Sequence, residues 1–218
     1  MRVVKISKEI CNIFVKEKHY SRKLGIFWEG FALVEGENKI TGIVVYGQPS
    51  PPIQRFAFTD RNFRLYELSR LVIQSKTKNA ASFLISNSIK LLSEKPCAIV
   101  SYSDTEYGHC GIVYQACNFI YTGSTKSHDC MYIVDGVKTH PMTLRDMGIT
   151  NPTNWAKENN IEKIKPKEKH RYFFIAGNKY EKKKILSKLN YAIIKTYPKS
   201  DKSYYDDGKL VEIYYDEK

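Results

Sequence analysis

The sequence predicts an α/β fold, a mixed sheet flanked by helices. Three observations lead there. Strand-like and helix-like patterns alternate from Met1 to about Asp135, and after an early hairpin the order runs strand, helix, strand, helix, strand. With 42% hydrophobic residues, a 218-residue chain has enough apolar surface to bury a sizeable core. From Gly136 onward the chain becomes more basic and less periodic, which predicts a core over 1–135 and a basic extension over 136–218 packed on it.

Residues 2–6 (RVVKI) read as a strand, and Ser7 starts a helix over Lys8 to Glu17. The loop HYSRKLG closes on Gly25. FWEGFALVEG and KITGIVVYG then form two strands around the turn Gly36-Glu37-Asn38, and the proline-rich GQPSPPIQR reads as a loop. YELSRLVI (66–73) is β-branched and aliphatic. In the following segment Ala81, Leu84, Ile85, Ser88, Ile89 and Leu92 recur at helical spacing, so this segment is a helix with one buried stripe, stopped before Pro96. CAIVSYSD is a strand and GHCGIVYQAC a short helix, with Asn118 its left-handed terminator. NFIYTG is the next strand. Beyond it, a helix is expected around Asn154 to Asn160, a basic strand in KPKEKHRYFFIAG, and a basic helix in NKYEKKKILSKL with Ile185, Leu186 and Leu189 inward. The tail from Asp201 reads equally as a strand or an ordered edge.

The formal net charge is +12, from 35 Lys and Arg against 23 Asp and Glu, which favours a polyanionic partner such as nucleic acid. Five cysteines, without any C-x-x-C pair, read as reduced thiols. The sequence carries neither a signal-like segment at Met1 nor a long uncharged apolar run, so a cytoplasmic protein without membrane contact is expected.

The junction ELSRLVIQSKTKNAASFL is the strongest local feature. A helix N-terminus presents unpaired backbone N–H groups and the positive end of a dipole, which suits a pyrophosphate. Lys76, Lys78 and Asn79 add donors, while Ala80, Ala81 and Ser82 permit close approach. The junction is neither G-K-[ST] nor G-x-G-x-x-G; its plain alternative is a solvated loop with a helix cap.

This order of elements, ending in a Tyr-containing helix with an Asn-Phe exit, resembles the GCN5-related N-acetyltransferase fold, although that fold's Gly-rich pyrophosphate loop is replaced here by Lys76 to Ser82. A narrower set, HYS (19–21), VVYGQPSPP (44–52), ELSRLVI (67–73), NAASFLISNSI (79–89), SYSDTEYGHCGIVYQACNFIYTG (101–123) and KHRYFFIAG with YPK, resembles the phage Mom family across most of the chain. The resemblance implies a DNA-modification enzyme on an acetyltransferase-like fold. It further implies conversion of adenine N6 in double-stranded DNA to a methylcarbamoyl (acetamido) derivative from acetyl-CoA or another acyl-CoA, protecting the DNA from restriction endonucleases.

On matching positions the resemblance implies roles for His19, Arg70, Ser82, Asp104 and Tyr114. His19, with a pKa near neutrality, is a candidate proton shuttle. Asp104, ending a strand, is a candidate base or an orienter of the imidazole. Tyr114 is placed to polarise the acyl carbonyl or protonate the departing thiolate, and Arg70 and Ser82 to hold acyl-CoA. Each has a plain alternative: loop packing for His19, half-buried core for Tyr114, pairing with Glu67 or Asp104 for Arg70, a helix cap for Asp104. His19 and Asp104 are also candidate Fe(II) ligands, without the spacing of a known motif; zinc on Cys110, Cys117, His128 and Cys130 needs unusual spacing.

For DNA, Lys167, Lys169, Arg171, Lys182, Lys183 and Lys184 are candidate phosphate contacts, with Tyr172 or Phe173 stacking on a base. A paired adenine amine requires the base to be flipped or the duplex opened. Two rival functions fit the same residues: an acetyltransferase for a small amine or a protein lysine, and a nucleic-acid-binding protein that keeps the fold without catalysis. Oligomeric state is not legible.

Overall fold

The computed structural model describes residues 1–125, 130–199 and 210–216. In chain order the elements are β1 (Arg2–Ile6), α1 (Lys8–Lys18), β2 (Glu29–Glu35), β3 (Lys39–Gly47), α2 (Pro51–Phe56), β4 (Arg64–Ile73), α3 (Ala80–Leu91), β5 (Cys97–Asp104), α4 (Ile112–Ala116) and β6 (Ile120–Thr125). They continue as β7 (Met131–Val134), β8 (Val137–Thr139), α5 (Pro141–Asp146), α6 (Pro152–Glu158), β9 (Glu162–Ile164), β10 (Lys169–Ala176) and α7 (Lys179–Leu186). Seven strands form a mixed sheet in the order β1-β2-β3-β4-β5-β10-β6, in which β4 and β5 run parallel and the other neighbours antiparallel. The expected mixed α/β sheet is present.

Strand alternation divides the core between the two faces. Val44 and Tyr46 of β3 pack with Leu84 and Ile85 of α3, whereas Ile43 and Val45 pack with Phe14 and Val15 of α1. Ser88 sits wholly buried in the α3 stripe because its hydroxyl bonds the Ile85 carbonyl at 3.0 Å and the Tyr46 hydroxyl at 2.8 Å.

Several elements differ from expectation. The proline-rich segment holds a helical turn, since Pro51 and Pro52 occupy its first positions, where no N–H is needed, and Ile53 is buried. The helix after β5 is shorter than expected and is preceded by a 3-10 turn, Thr105–Tyr107. Gly111 opens it at φ 79°, and a Cβ there would lie 2.5 Å from the Tyr172 ring, so only glycine fits. Asn118 terminates it at φ 60°. The helix expected around Asn154–Asn160 starts earlier, at Pro152, capped by Asn151.

The compositional break at residue 135 falls on the Asp135-Gly136 turn of the β7–β8 hairpin, and β10, from beyond it, lies inside the main sheet. β8, β7 and β9 make a second, three-stranded sheet, closed by Leu144 of α5 and Ala156 of α6 against Tyr132. The end of the chain returns to the first hairpin. Ile40 N–H donates to Ile213 O at 2.9 Å, and Val211 is buried beside Val72.

Candidate active site

β4 and β5 pair only from Arg64↔Cys97 to Leu68↔Ser101. Beyond that point β4 follows β3, and β5 follows β10, so the two strands splay. A bulge at Val45/Tyr46 opposes Leu68, Ser69 and Arg70 and bends β4 at the divergence. A cavity of about 260 Å³ fills the opening, lined by Ser69, Leu71 and Ile73 of β4, Tyr102 and Ser103 of β5, Ala81, Gly111 to Tyr114, and His19 and Tyr20. Such a crevice at the carboxyl ends of strands is where open α/β sheets take ligands.

On the α3 side, Tyr114 is 8% exposed, and burial holds its phenol above the ordinary range despite a hydrogen bond with Ser101. It keeps its proton at neutral pH. Ser103 Oγ is buried without a hydrogen-bond partner among the described residues, although it borders the cavity. Asn79 precedes α3 at φ 63° and makes no side-chain cap, and of the first-turn N–H groups Ala80 N–H donates to Thr77 O at 3.2 Å. Lys76 and Lys78 are exposed, Ala80 is buried in the core, and Ala81 is half-buried and borders the cavity. Ser82 Oγ donates to Asn79 O at 3.0 Å. An orphan hydroxyl, small residues and an uncapped helix start fit an acyl-CoA.

The opposite side carries the charged groups. His19 ends α1, and its Nδ1 accepts from Ser21 N–H at 3.1 Å, which leaves the proton of the neutral ring on Nε2. Burial, with Arg70, His109, Lys169 and Arg22 nearby, pushes its pKa down to about 3. The expected near-neutral titration is therefore corrected: at physiological pH His19 is a neutral hydrogen-bond donor. Asp104 Oδ2 pairs with Lys169 Nζ at 2.9 Å, and Oδ1 accepts from Glu106 N–H at 3.0 Å. Arg70 donates to Lys23 O at 2.7 Å and Ser69 O at 2.6 Å, tying the 19–25 loop to β4 away from the α3 start.

The residues do not fit iron. Among the described residues no three His, Cys, Asp or Glu side chains converge on one point, and Asp104 is already held by Lys169. Of the zinc set, His128 lies outside the described residues.

The candidate DNA contacts separate into two kinds. Lys167, Lys182, Lys183 and Lys184 are exposed. Lys169 pairs with Asp104, and Arg171 is held internally, donating to Thr122 Oγ1 at 3.0 Å and lying 3.4 Å over the Tyr191 ring. Tyr172 and Phe173 are fully buried in the sheet, so neither stacks on a base.

Ser103 and Tyr20 were not singled out from sequence, and Glu67 was considered only as a partner for Arg70. Signals existed for two of them: Ser101 and Ser103 are hydroxyls on a core-facing alternation, and Glu67 is a lone acid in an aliphatic strand. Burial raises the Glu67 carboxyl, with Arg70 and Lys169 opposing it.

No helix among the described residues is long and apolar enough to cross a membrane. Among solved structures the chain is similar to a GNAT-family acetyltransferase from Bacillus cereus, at 14% identity over 81% of this chain and 98% of that chain, TM-score 0.41. It is also similar to a spermidine N-acetyltransferase SpeG variant from Vibrio cholerae, at 11% identity over 80% and 95%, TM-score 0.47. A Bacillus subtilis acetyltransferase in complex with CoA matches at 13% identity over 81% and 99%, TM-score 0.45. Methylcarbamoylase mom of Escherichia phage Mu is 28% identical over 158 residues, 66% of this chain and 61% of that protein, so the match spans less than two thirds of the relative. The Mom protein family model matches residues 1–199, and the chain belongs to that family.

Proposed function

We propose that this chain is a transferase that converts adenine N6 in double-stranded DNA to its methylcarbamoyl derivative, taking the carbon unit from acetyl-CoA or another acyl-CoA and so shielding the DNA from restriction endonucleases. The observation that carries the proposal is the ligand-sized cavity at the β4–β5 splay of a Mom-family chain, with a buried unpaired hydroxyl, Ser103, at its wall.

Bound acyl-CoA would supply the two-carbon unit and release CoA thiol; placing nitrogen on its carbonyl and joining its methyl carbon to adenine N6 also consumes an ammonia-level nitrogen donor and a two-electron oxidant, which are separate co-substrates. Lys76, Lys78 and the α3 N-terminus hold its phosphates, with Ala81 and Ser82 small enough for the chain to pass. Ser103 Oγ binds a polar atom of the pantetheine arm or the acyl group. Tyr114, protonated at neutral pH, donates to the departing thiolate. Asp104, aimed by its ion pair with Lys169, takes the proton that the adenine amine gives up, and the neutral His19 ring orients the base by donating from Nε2. Arg70 fixes the loop that carries His19. Lys167, Lys182, Lys183 and Lys184 neutralise phosphates, a contribution read as a steep fall of affinity with salt.

The test is mass spectrometry of nucleosides from a plasmid co-expressed with the protein, beside restriction digestion of the same plasmid. A heavier deoxyadenosine and resistance to cleavage are expected. Unmodified deoxyadenosine with folded, soluble protein overturns the proposal.

A further inference from the structure

The basic run of α7 does not form one surface. Ile185 is the inward position of this helix, packed in one cluster with Ile53, Phe58 and Phe173. At about 100° per residue, Lys184 and Lys188 fall on one flank of it and Lys182 on the other. The contacts agree: Lys188 pairs with Asp60, just after α2, whereas Lys182 Nζ lies 5.9 Å over the Phe174 ring. Lys184, itself exposed, belongs to the α2 side.

That side carries an exposed aromatic ring. Phe56, at the end of α2, is 64% exposed, yet the chain beneath it is fixed. Its carbonyl accepts from Asn190 Nδ2 at 3.0 Å, the Ala57 carbonyl accepts from Asn190 N–H at 2.9 Å, and Ala57 and Phe58 are buried. Arg55 and Arg61 are exposed, and Arg61 Nη1 donates back to Gln54 O of α2 at 3.5 Å. The neighbouring acids are engaged, Asp60 by Lys188 and Glu181 in the capping box of α7. This face therefore presents positive charge around one firmly held ring.

The face adjoins the cleft. Ser50 N–H, at the start of α2, bonds the Glu67 carboxyl, one residue before the last β4–β5 pair. At about 1.5 Å per residue, Phe56 stands about 8 Å along α2 from Pro51. α2 packs on the sheet face that carries Tyr102 and, by alternation, Asp104. A duplex that delivers adenine to the Asp104 side runs onto this face.

We propose that the α2–α7 face is a docking surface for duplex DNA, with Arg55, Arg61 and Lys184 on phosphates and Phe56 wedged between base steps. An apolar wedge unstacks a step and kinks the helix, which lowers the cost of swinging a base out. The proposal rests on the DNA-modifying function above and adds the surface and the ring that open the duplex.

The test is fluorescence anisotropy with a mixed-sequence duplex at several salt concentrations. The triple variant Arg55→Gln, Arg61→Gln, Lys184→Gln is expected to reduce the salt slope of log affinity by about 2–3. Phe56→Ser lowers affinity by at least about fivefold at unchanged slope, and Phe56→Leu, still a wedge, keeps it. Acetyl-CoA affinity stays at the wild-type value in all three, which reports that they fold. Wild-type affinity in Phe56→Ser overturns the wedge, and a wild-type slope in the triple variant overturns the surface; both leave the function standing, since plasmid modification reads it separately. A wild-type protein that binds no duplex overturns both proposals.

Discussion

Two aromatic clusters flank the cleft, and they do opposite things. Around α4, Tyr114, Phe119, Tyr121 and Tyr172 pack ring against ring inside the core, and the Tyr172 hydroxyl is satisfied by the Cys110 carbonyl. Across the cavity, His19, Tyr20, Tyr107 and His109 stack on loops, the first two and His109 half-buried and Tyr107 40% exposed. The residue types are alike; the backbone under them differs. Strand and helix positions commit a tyrosine to the core, while loop positions leave Tyr107 partly exposed at the cavity mouth.

Changes on the buried side are expected to be the most severe. Tyr114→Phe preserves the ring packing and removes the proton donor, so kcat falls by about 10²–10⁴-fold with little change in acyl-CoA KM. A variant that turns over at the wild-type rate reduces Tyr114 to packing. Gly111→Ala places a Cβ against the Tyr172 ring at positive φ, and a stability loss of about 1–3 kcal/mol is expected by denaturant unfolding. An unchanged midpoint means that the ring gives way and the cluster is looser than its contacts indicate.

Ser103→Ala separates ligand binding from stability. The hydroxyl bonds nothing among the described residues, so its removal leaves the melting temperature unchanged or raised, while acyl-CoA affinity drops by about 2–10-fold through one lost hydrogen bond. A lower melting temperature with intact affinity contradicts this.

The open side is tested by pH. The His19 pKa is about 3 in the folded protein against an ordinary 6.5, so the unfolded chain binds more protons between these values. Stability linked to His19 is therefore complete above about pH 6.5 and declines as pH falls toward 3. His19→Gln is expected to flatten the fall of melting temperature over this window. An unchanged slope removes His19 as its source.

Local pattern made much of the fold legible. Alternation in KITGIVVYG and CAIVSYSD marks strands, and the Ala81-to-Leu92 spacing marks α3. Asp104 was legible as a strand end and Asn118 as a left-handed terminator. The position of β10 between β5 and β6 was not, because antiparallel pairing across more than forty residues leaves no local trace. Asp135-Gly136 was a hairpin signal hidden by the change in charge on either side. At the site, the depression of His19 depends on Arg70 and Lys169, brought close only by folding, and the orphan state of Ser103 depends on what its neighbours lack. Tyr107 and Tyr172 look alike in sequence, and only the sheet distinguishes the exposed ring from the buried one.

The central claim is that one cleft joins an acyl unit on its buried side to a base on its open side. Nucleoside mass spectrometry of plasmid DNA from cells that express the protein and are fed acetate labelled in both carbons tests it most directly. The account predicts a modified deoxyadenosine whose added group carries both labelled carbons, absent from cells expressing Tyr114→Phe. Unmodified deoxyadenosine, or an added group without the label, would contradict it.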